Sequence, residues 1–205
     1  MENLLLNTAY FAPVSYFSAI QQSTNIFIEQ YENFGKQSYR NRCEIMSANG
    51  VLSLTVPVVK ANRKTLVKDL KIMYVTPWQK LHFRSIESAY KNSPYYDYYI
   101  DDLMPFFEKQ ATFLLDLNQE ILTTLFDLLK IKSNIHLTED YIQENHTEYT
   151  DLRDAIHPKA SRRKPGAEFP VHPYHQTFSD RFPFHPNLSI LDLLFCCGPE
   201  AKQYL

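Results

Sequence analysis

The strongest constraint on the fold lies within about the first thirty residues. Leu4 to Phe11 is a short apolar run, which suits a buried strand near a sheet centre. Pro13 then opens a helical stretch, Val14-Ser15-Tyr16-Phe17-Ser18-Ala19-Ile20, with Phe17 and Ile20 on one side. Asn25-Ile26-Phe27-Ile28-Glu29 reads as a second strand. Strand, short helix and strand in this span match one βαβ unit, whose crossover makes its two strands parallel.

The next segments extend the sheet and then leave it. Arg42 to Ser47 and Val51 to Val59 read as strands joined across Ala48-Asn49-Gly50, a strong hairpin turn. Leu52, Leu54, Val56 and Val58 alternate with Ser53, Thr55 and Pro57, as a half-buried strand should. Leu66 to Met73 offers a further strand. Helices follow: Thr76-Pro77-Trp78-Gln79 supplies a capping residue, a proline for the first helical position and a glutamine able to reach back. Ser93-Pro94 repeats the start signal, and Thr112 to Leu129 carries an apolar stripe through Leu114, Ile121, Leu125 and Leu128. From Glu144 to Pro173 the chain is polar and rich in proline and basic residues, which predicts a long loop. Ser189-Ile190-Leu191-Asp192 resembles a capping box opening a last helix that stops near Gly198-Pro199. The expected class is α/β or α+β, a single domain over residues 1–205. An N-terminal βαβ unit and a β-hairpin sheet lead into a helical C-terminal half.

Composition removes several function classes. With 21 basic against 23 acidic residues the formal net charge is −2, so nothing electrostatic points to nucleic acid. The longest apolar run, near Leu188 to Cys197, is broken by Ser189 and Asp192 and is too short to span a membrane. The N-terminal segment lacks the basic start and apolar stretch of an export signal, so a cytoplasmic location is expected. Cys43, Cys196 and Cys197 form no metal spacing and read as reduced thiols. Four glycines cannot build a G-x-G-x-x-G or P-loop cradle. No metal is indicated, and the residues name no cofactor.

Candidate site residues fall in five places. On the helix after Pro77, Trp78, His82, Ser85 and Ala89 share a flank whose small residues leave room beside the imidazole. His82 there is either an acid–base group in a pocket wall or a core histidine bonded to a carbonyl. Arg40 and Arg42, around Asn41, would project to one strand face, to grip an anion or to guard a sheet edge. Glu29 closes the second strand, where α/β proteins place ligand-binding groups. Tyr10 and Tyr16 crowd aromatic surface at the end of the first strand, suited to a sugar ring or to a core. In the predicted loop, His157 and Lys159 could meet an anion beneath a lid. Asn118, on the apolar stripe of its helix, is expected to be buried and bonded. Cys43 has no histidine near it in sequence and makes a weak nucleophile candidate.

Across nearly the whole chain the motifs resemble the WbqC-like family. They are Tyr10-x-x-Pro13-x-x-Tyr16-Phe17, Arg40-Asn41-Arg42 and Leu54-Thr55-Val56-Pro57-Val58, then Trp78-x-x-x-His82 with Tyr90-x-x-Ser93-Pro94-Tyr95. Leu117-Asn118 and Ser189-Ile190-Leu191-Asp192-Leu193-Leu194-Phe195 complete the pattern. The resemblance implies a role beside genes for O-antigen and related surface polysaccharides. The reaction suggested for the family joins an amino acid such as glycine to a sugar acid through an amide. The ligand implied is a nucleotide-linked or lipid-linked sugar acid. On that reading Arg40 and Arg42 serve anionic groups, His82 moves a proton, and Tyr10, Tyr16 and Trp78 face the sugar or base, all around one cavity. Asn7-Thr8-Ala9 stands where many members read Gln-Pro before the tyrosine, a difference at a position that could meet substrate. The alternative is a non-catalytic module that holds a sugar nucleotide or escorts a partner. Glycosyl transfer ranks last, because Asp101-Asp102 is adjacent and reads as a helix surface.

Overall fold

A computed structural model describes residues 3–60, 64–144, 146–163, 169 and 171–205. The βαβ unit is there: β1 (Asn3–Asn7), α1 (Val14–Gln21) and β2 (Asn25–Glu29), with Leu4 opposite Ile26 and Asn7 opposite Glu29 in parallel register. Leu4, Leu6, Ile26 and Ile28 turn one sheet face into the core, where Phe17 and Ile20 of α1 meet them. Phe27 looks the other way and stacks on His136, with ring centroids 5.0 Å apart. The hairpin β3 (Arg42–Ser47) and β4 (Gly50–Thr55) forms a separate antiparallel pair. Its two-residue turn ends on Gly50 at φ +100°, a conformation a side chain would strain.

Helices α2 (Trp78–Tyr90), α3 (Tyr96–Leu103), α4 (Pro105–Glu108) and α5 (Leu114–Leu129) follow, and α6 (Ile190–Cys197) closes the chain's last helical stretch. Two further strands then complete the sheet. β5 (Asn134–Leu137) pairs with β2 and β6 (Thr150–Asp151) with β1, giving four parallel strands in the order β5-β2-β1-β6. The α/β class stands. The sequence misses these two strands because β6 has two residues, inside the predicted loop, and β5 is mostly exposed and lacks alternation.

Four local expectations need correction. β1 stops at Asn7 rather than running to Phe11, since the Tyr10 N–H leaves the sheet for the Tyr39 carbonyl, 2.9 Å away. The apolar run therefore marked burial, not strand. Phe11 takes φ +38°, costly for a bulky side chain. It is held by stacking on Phe107 at 5.9 Å and by a bond from the Ser189 hydroxyl to its carbonyl at 2.8 Å. Leu66 to Met73 forms a short 3-10 turn with isolated bridges such as Val58 to Ile72, not a strand. Gln79 does not reach back to cap α2; its amide donates to the carbonyls of Phe106 and Lys109 and ties α2 to the end of α4.

At α6 half of the capping box forms: the Ser189 hydroxyl accepts from the Leu191 N–H at 3.3 Å. Asp192 instead turns inward, fully buried, and accepts from the Tyr90 hydroxyl at 2.9 Å, the Tyr174 hydroxyl at 2.7 Å and the Gln176 amide at 3.0 Å. Burial pushes its carboxyl up from the usual range, and those three donors pull it back. The Tyr90 oxygen already takes the Met46 N–H at 3.3 Å, so its own proton is directed to Asp192. One carboxylate thus joins α2, α6 and the segment around Tyr174.

Candidate functional site

Sheet order locates the site. From β1 the chain steps outward to β2 and β5, then returns to place β6 on the other side of β1. The winding reverses between β1 and β6, and the carboxyl ends of strands at such a switch leave a crevice. A narrow crevice of about 10 Å³, room for about one water, lies there, lined by Asn7, Thr8, Tyr16, Ser38, Tyr39 and Arg40 with Leu152 and Ile156. Tyr16 donates to the Asn7 carbonyl at 2.8 Å. Asn118 donates to the Thr8 hydroxyl at 3.1 Å and to the Arg40 carbonyl at 2.8 Å, buried and bonded as its helix stripe predicts.

Two ion-pair nets frame this crevice. Arg40, 4% exposed, grips Glu32 with Nε on Oε1 at 2.7 Å and Nη2 on Oε2 at 2.6 Å, while Asn7 adds a bond to Oε2 at 2.7 Å. Burial pushes the Glu32 carboxyl up and the guanidinium fork works against it. Arg153 clamps Asp151 with two bonds, at 3.0 and 2.7 Å, and reaches Glu29 at 3.1 Å and the Ile142 carbonyl at 2.7 Å. Glu29, fully buried, also accepts from Thr138, Tyr31 N and Ile142 N, so it braces the β2 end and the loop beyond β5.

Asp154 is the accessible acid of the group. Its side chain is 42% exposed, its Oδ1 takes Arg40 Nη2 at 3.2 Å, and its N–H is fixed by Asn7 Oδ1 at 2.8 Å. Its backbone sits at φ +60°, which aspartate tolerates better than most residues. His157 follows three residues on. His157 Nδ1 lies 3.0 Å from the Lys159 N–H and 3.3 Å from the Lys159 carbonyl, so the Lys159 backbone orients the ring. Burial holds the His157 imidazole below its ordinary range. Glu32, Arg153 and Asp154 were missed in the sequence, although the charged run Asp151-Leu152-Arg153-Asp154 after a strand was a usable signal.

The remaining candidates form a second group. Tyr10, Trp78 and His82 come together: the Tyr10 hydroxyl meets His82 Nδ1 at 2.9 Å, and the Trp78 and His82 rings lie 5.1 Å apart. The backbone of Thr55 is the other polar neighbour of His82, and burial lowers the imidazole to about 4. None of the three lines the crevice. The expected single cavity is therefore two groups, joined by the backbone bond from Tyr10 to Tyr39. Arg40 and Arg42 do not share a strand face, because Arg40 sits in the 3-10 turn Tyr39–Asn41 and Arg42 opens β3. Asn41 donates to the Val56 carbonyl at 2.8 Å and fastens the end of β4. Ser85 bonds the Leu81 carbonyl within α2 and lines a shallow groove beside the hairpin turn. Cys43 is buried, and burial pushes its thiol far up, away from thiolate chemistry. Among the described residues no group of three or more His, Cys, Asp or Glu side chains is placed to hold a metal.

Together these features define an α/β protein with a polar, hydroxyl-lined crevice at the carboxyl edge of a parallel sheet. Residues 8–168 and 167–204 match the WbqC-like protein family, and the chain belongs to that family. It is 28% identical over 214 residues to Rv1507c, an uncharacterized protein of Mycobacterium tuberculosis, across 93% of this chain and 91% of the relative. No solved structure matches it. Among the described residues, no helix is long and apolar enough to cross a membrane.

Proposed function

We propose that this chain acts in surface-polysaccharide assembly by joining an amino acid to a sugar acid, with the polar mouth of the β1–β6 crevice as the surface the sugar lies against. The observation that carries the reading is the lining of the crevice by hydroxyls and amides from Asn7, Thr8, Tyr16, Ser38 and Tyr39. Such groups exchange hydrogen bonds with a polyhydroxylated ring. Membership of the WbqC-like family supports the pathway.

Amide formation requires an activated carboxyl. The amine nitrogen bonds to the carboxyl carbon, the activating group departs with an oxygen, and the amine releases a proton to a base. Asp154, bonded to the lining residues Asn7 and Arg40, and His157, next to the lining residue Ile156, are the groups to take that proton. His82 is enclosed with Tyr10 and Trp78, and its role is to fix α2 against the loop after β1.

The test incubates the protein with sugar acids, free and nucleotide-linked, together with glycine and ATP, and reads product mass. The expected product gains glycine less one water. Asp154→Asn should abolish it and His82→Gln should keep it. Absence of product from every combination, or the reverse ranking of the two variants, would overturn the assignment. A binding module is the second reading. It is favoured by the engagement of Glu29, Glu32, Arg40 and Arg153 with one another, which leaves few free catalytic groups.

A further inference from the structure

Two loops meet beside the crevice: 35–38 runs into its lining residues Ser38 and Tyr39, and 157–163 follows its lining residue Ile156. Lys159 Nζ donates to Gln37 Oε1 at 2.6 Å and Arg162 Nη1 to the Lys36 carbonyl at 3.3 Å. Arg163 Nε donates to the His157 carbonyl at 2.9 Å. Each of these three cations is positioned by a neutral oxygen. Lys36, Lys159, Arg162 and Arg163 are all exposed, and among the described residues none forms an ion pair. The carboxylates below them are already engaged by Arg40 and Arg153.

Four cations on two adjoining loops thus have no ion-pair partner among the described residues, in a chain whose formal net charge is −2. A single sugar carboxylate needs one guanidinium fork. Four charges spread over two loops suit a polyanion, and with no glycine-rich cradle in the sequence the neutralising must come from side chains. We infer that this rim binds the diphosphate of an activated sugar carrier, either a nucleoside diphosphate or a prenyl diphosphate, and so lays the attached sugar against the mouth of the crevice. The inference rests on the reading of that mouth as the surface the sugar lies against.

The experiment is calorimetric titration of the full chain with pyrophosphate, UDP, farnesyl diphosphate and uridine, at low and high salt. It is repeated on the Lys159→Ala/Arg162→Ala double variant, whose fold is checked by circular dichroism. Both side chains are exposed, so the variant should fold. Pyrophosphate and at least one carrier should bind, uridine should not, and the double variant should lose about tenfold or more in affinity. Added salt should weaken binding. Preference for UDP or for farnesyl diphosphate identifies the carrier. No binding of pyrophosphate or either carrier, or unchanged binding in the double variant, overturns the inference. Amide formation on free sugar acids without diphosphate binding would remove this inference alone. Diphosphate binding through Lys159 and Arg162 without amide formation would remove only the catalytic reading.

Discussion

His82 permits a sharp prediction because its environment fixes both sign and size. Burial against Tyr10 and Trp78 lowers the imidazole from 6.5 to about 4, so at neutral pH the folded ring is uncharged. Between those two values the unfolded chain binds a proton that the native protein refuses. Stability is therefore fully present above pH 6.5 and is lost as pH falls toward 4. The full span is worth about 3 kcal/mol, and between about pH 7.5 and about pH 5 roughly 2 kcal/mol of it disappears. The perturbation is His82→Gln, which keeps a hydrogen-bonding amide near the Tyr10 hydroxyl but cannot titrate. Urea unfolding of both proteins at the two pH values gives the stability difference directly, and the contribution of His157 and the carboxylates cancels. Wild type should lose about 2 kcal/mol more than the variant on acidification. A difference that stays constant to within about 0.5 kcal/mol would show that His82 titrates normally and meets water. In that case the argument that removes it from proton transfer fails.

Three further outcomes follow from buried groups. Glu32→Gln should cost about 3–5 kcal/mol in urea unfolding, because Arg40 keeps its charge in a buried place and loses its fork partner; a loss under about 1 kcal/mol would mean water already reaches the pair. Asp192→Asn should cost roughly 2–4 kcal/mol, since an amide cannot accept from Tyr90, Tyr174 and Gln176 together; an unchanged melting temperature would count against the network. Cys43 should resist alkylation in the native protein near pH 8 and react only on unfolding, while Cys196 and Cys197, raised to about 12 and about 11, label slowly. Labelling of Cys43 at the rate of a free thiol would refute its burial.

The local chemistry of the fold was legible in sequence wherever burial and geometry coincided. Leu4 to Leu6 and Ile26 to Ile28 are apolar because a parallel strand is covered on its faces, and Ala48-Asn49-Gly50 turns because Gly50 accepts φ +100°. Reading failed where apolar residues are buried without regular structure, as at Tyr10 and Phe11, since hydropathy reports burial and not the backbone angle. It failed again at β6, whose two residues gain their place by pairing with Leu4 and Leu5, some 146 positions away. The candidate site shows the same division. Tyr16, Arg40 and His157 were recognised as residue types able to hold a ligand. That Arg40 is engaged by Glu32 is a fact of tertiary distance that no spacing of eight residues reveals.

This pairing decides what kind of site the crevice is. An arginine free to grip substrate would be expected to lie open or to face a vacant anion position, whereas Arg40 and Arg153 each hold two carboxylates inside the protein. Their work is to fix Asn7, Glu29, Asp151 and Asp154 at the ends of strands β1, β2 and β6, so that the short β6 keeps its register with only two paired residues. With those charges mutually cancelled, the crevice is polar without net charge, and the loops beside it carry the exposed cations Lys36, Lys159, Arg162 and Arg163. A polar crevice mouth beside cationic loops separates two demands on a ligand: polar, uncharged contacts at the mouth and anionic contacts at the loops. A sugar on an anionic carrier meets both demands, whereas pyrophosphate alone or an acidic peptide meets only the second.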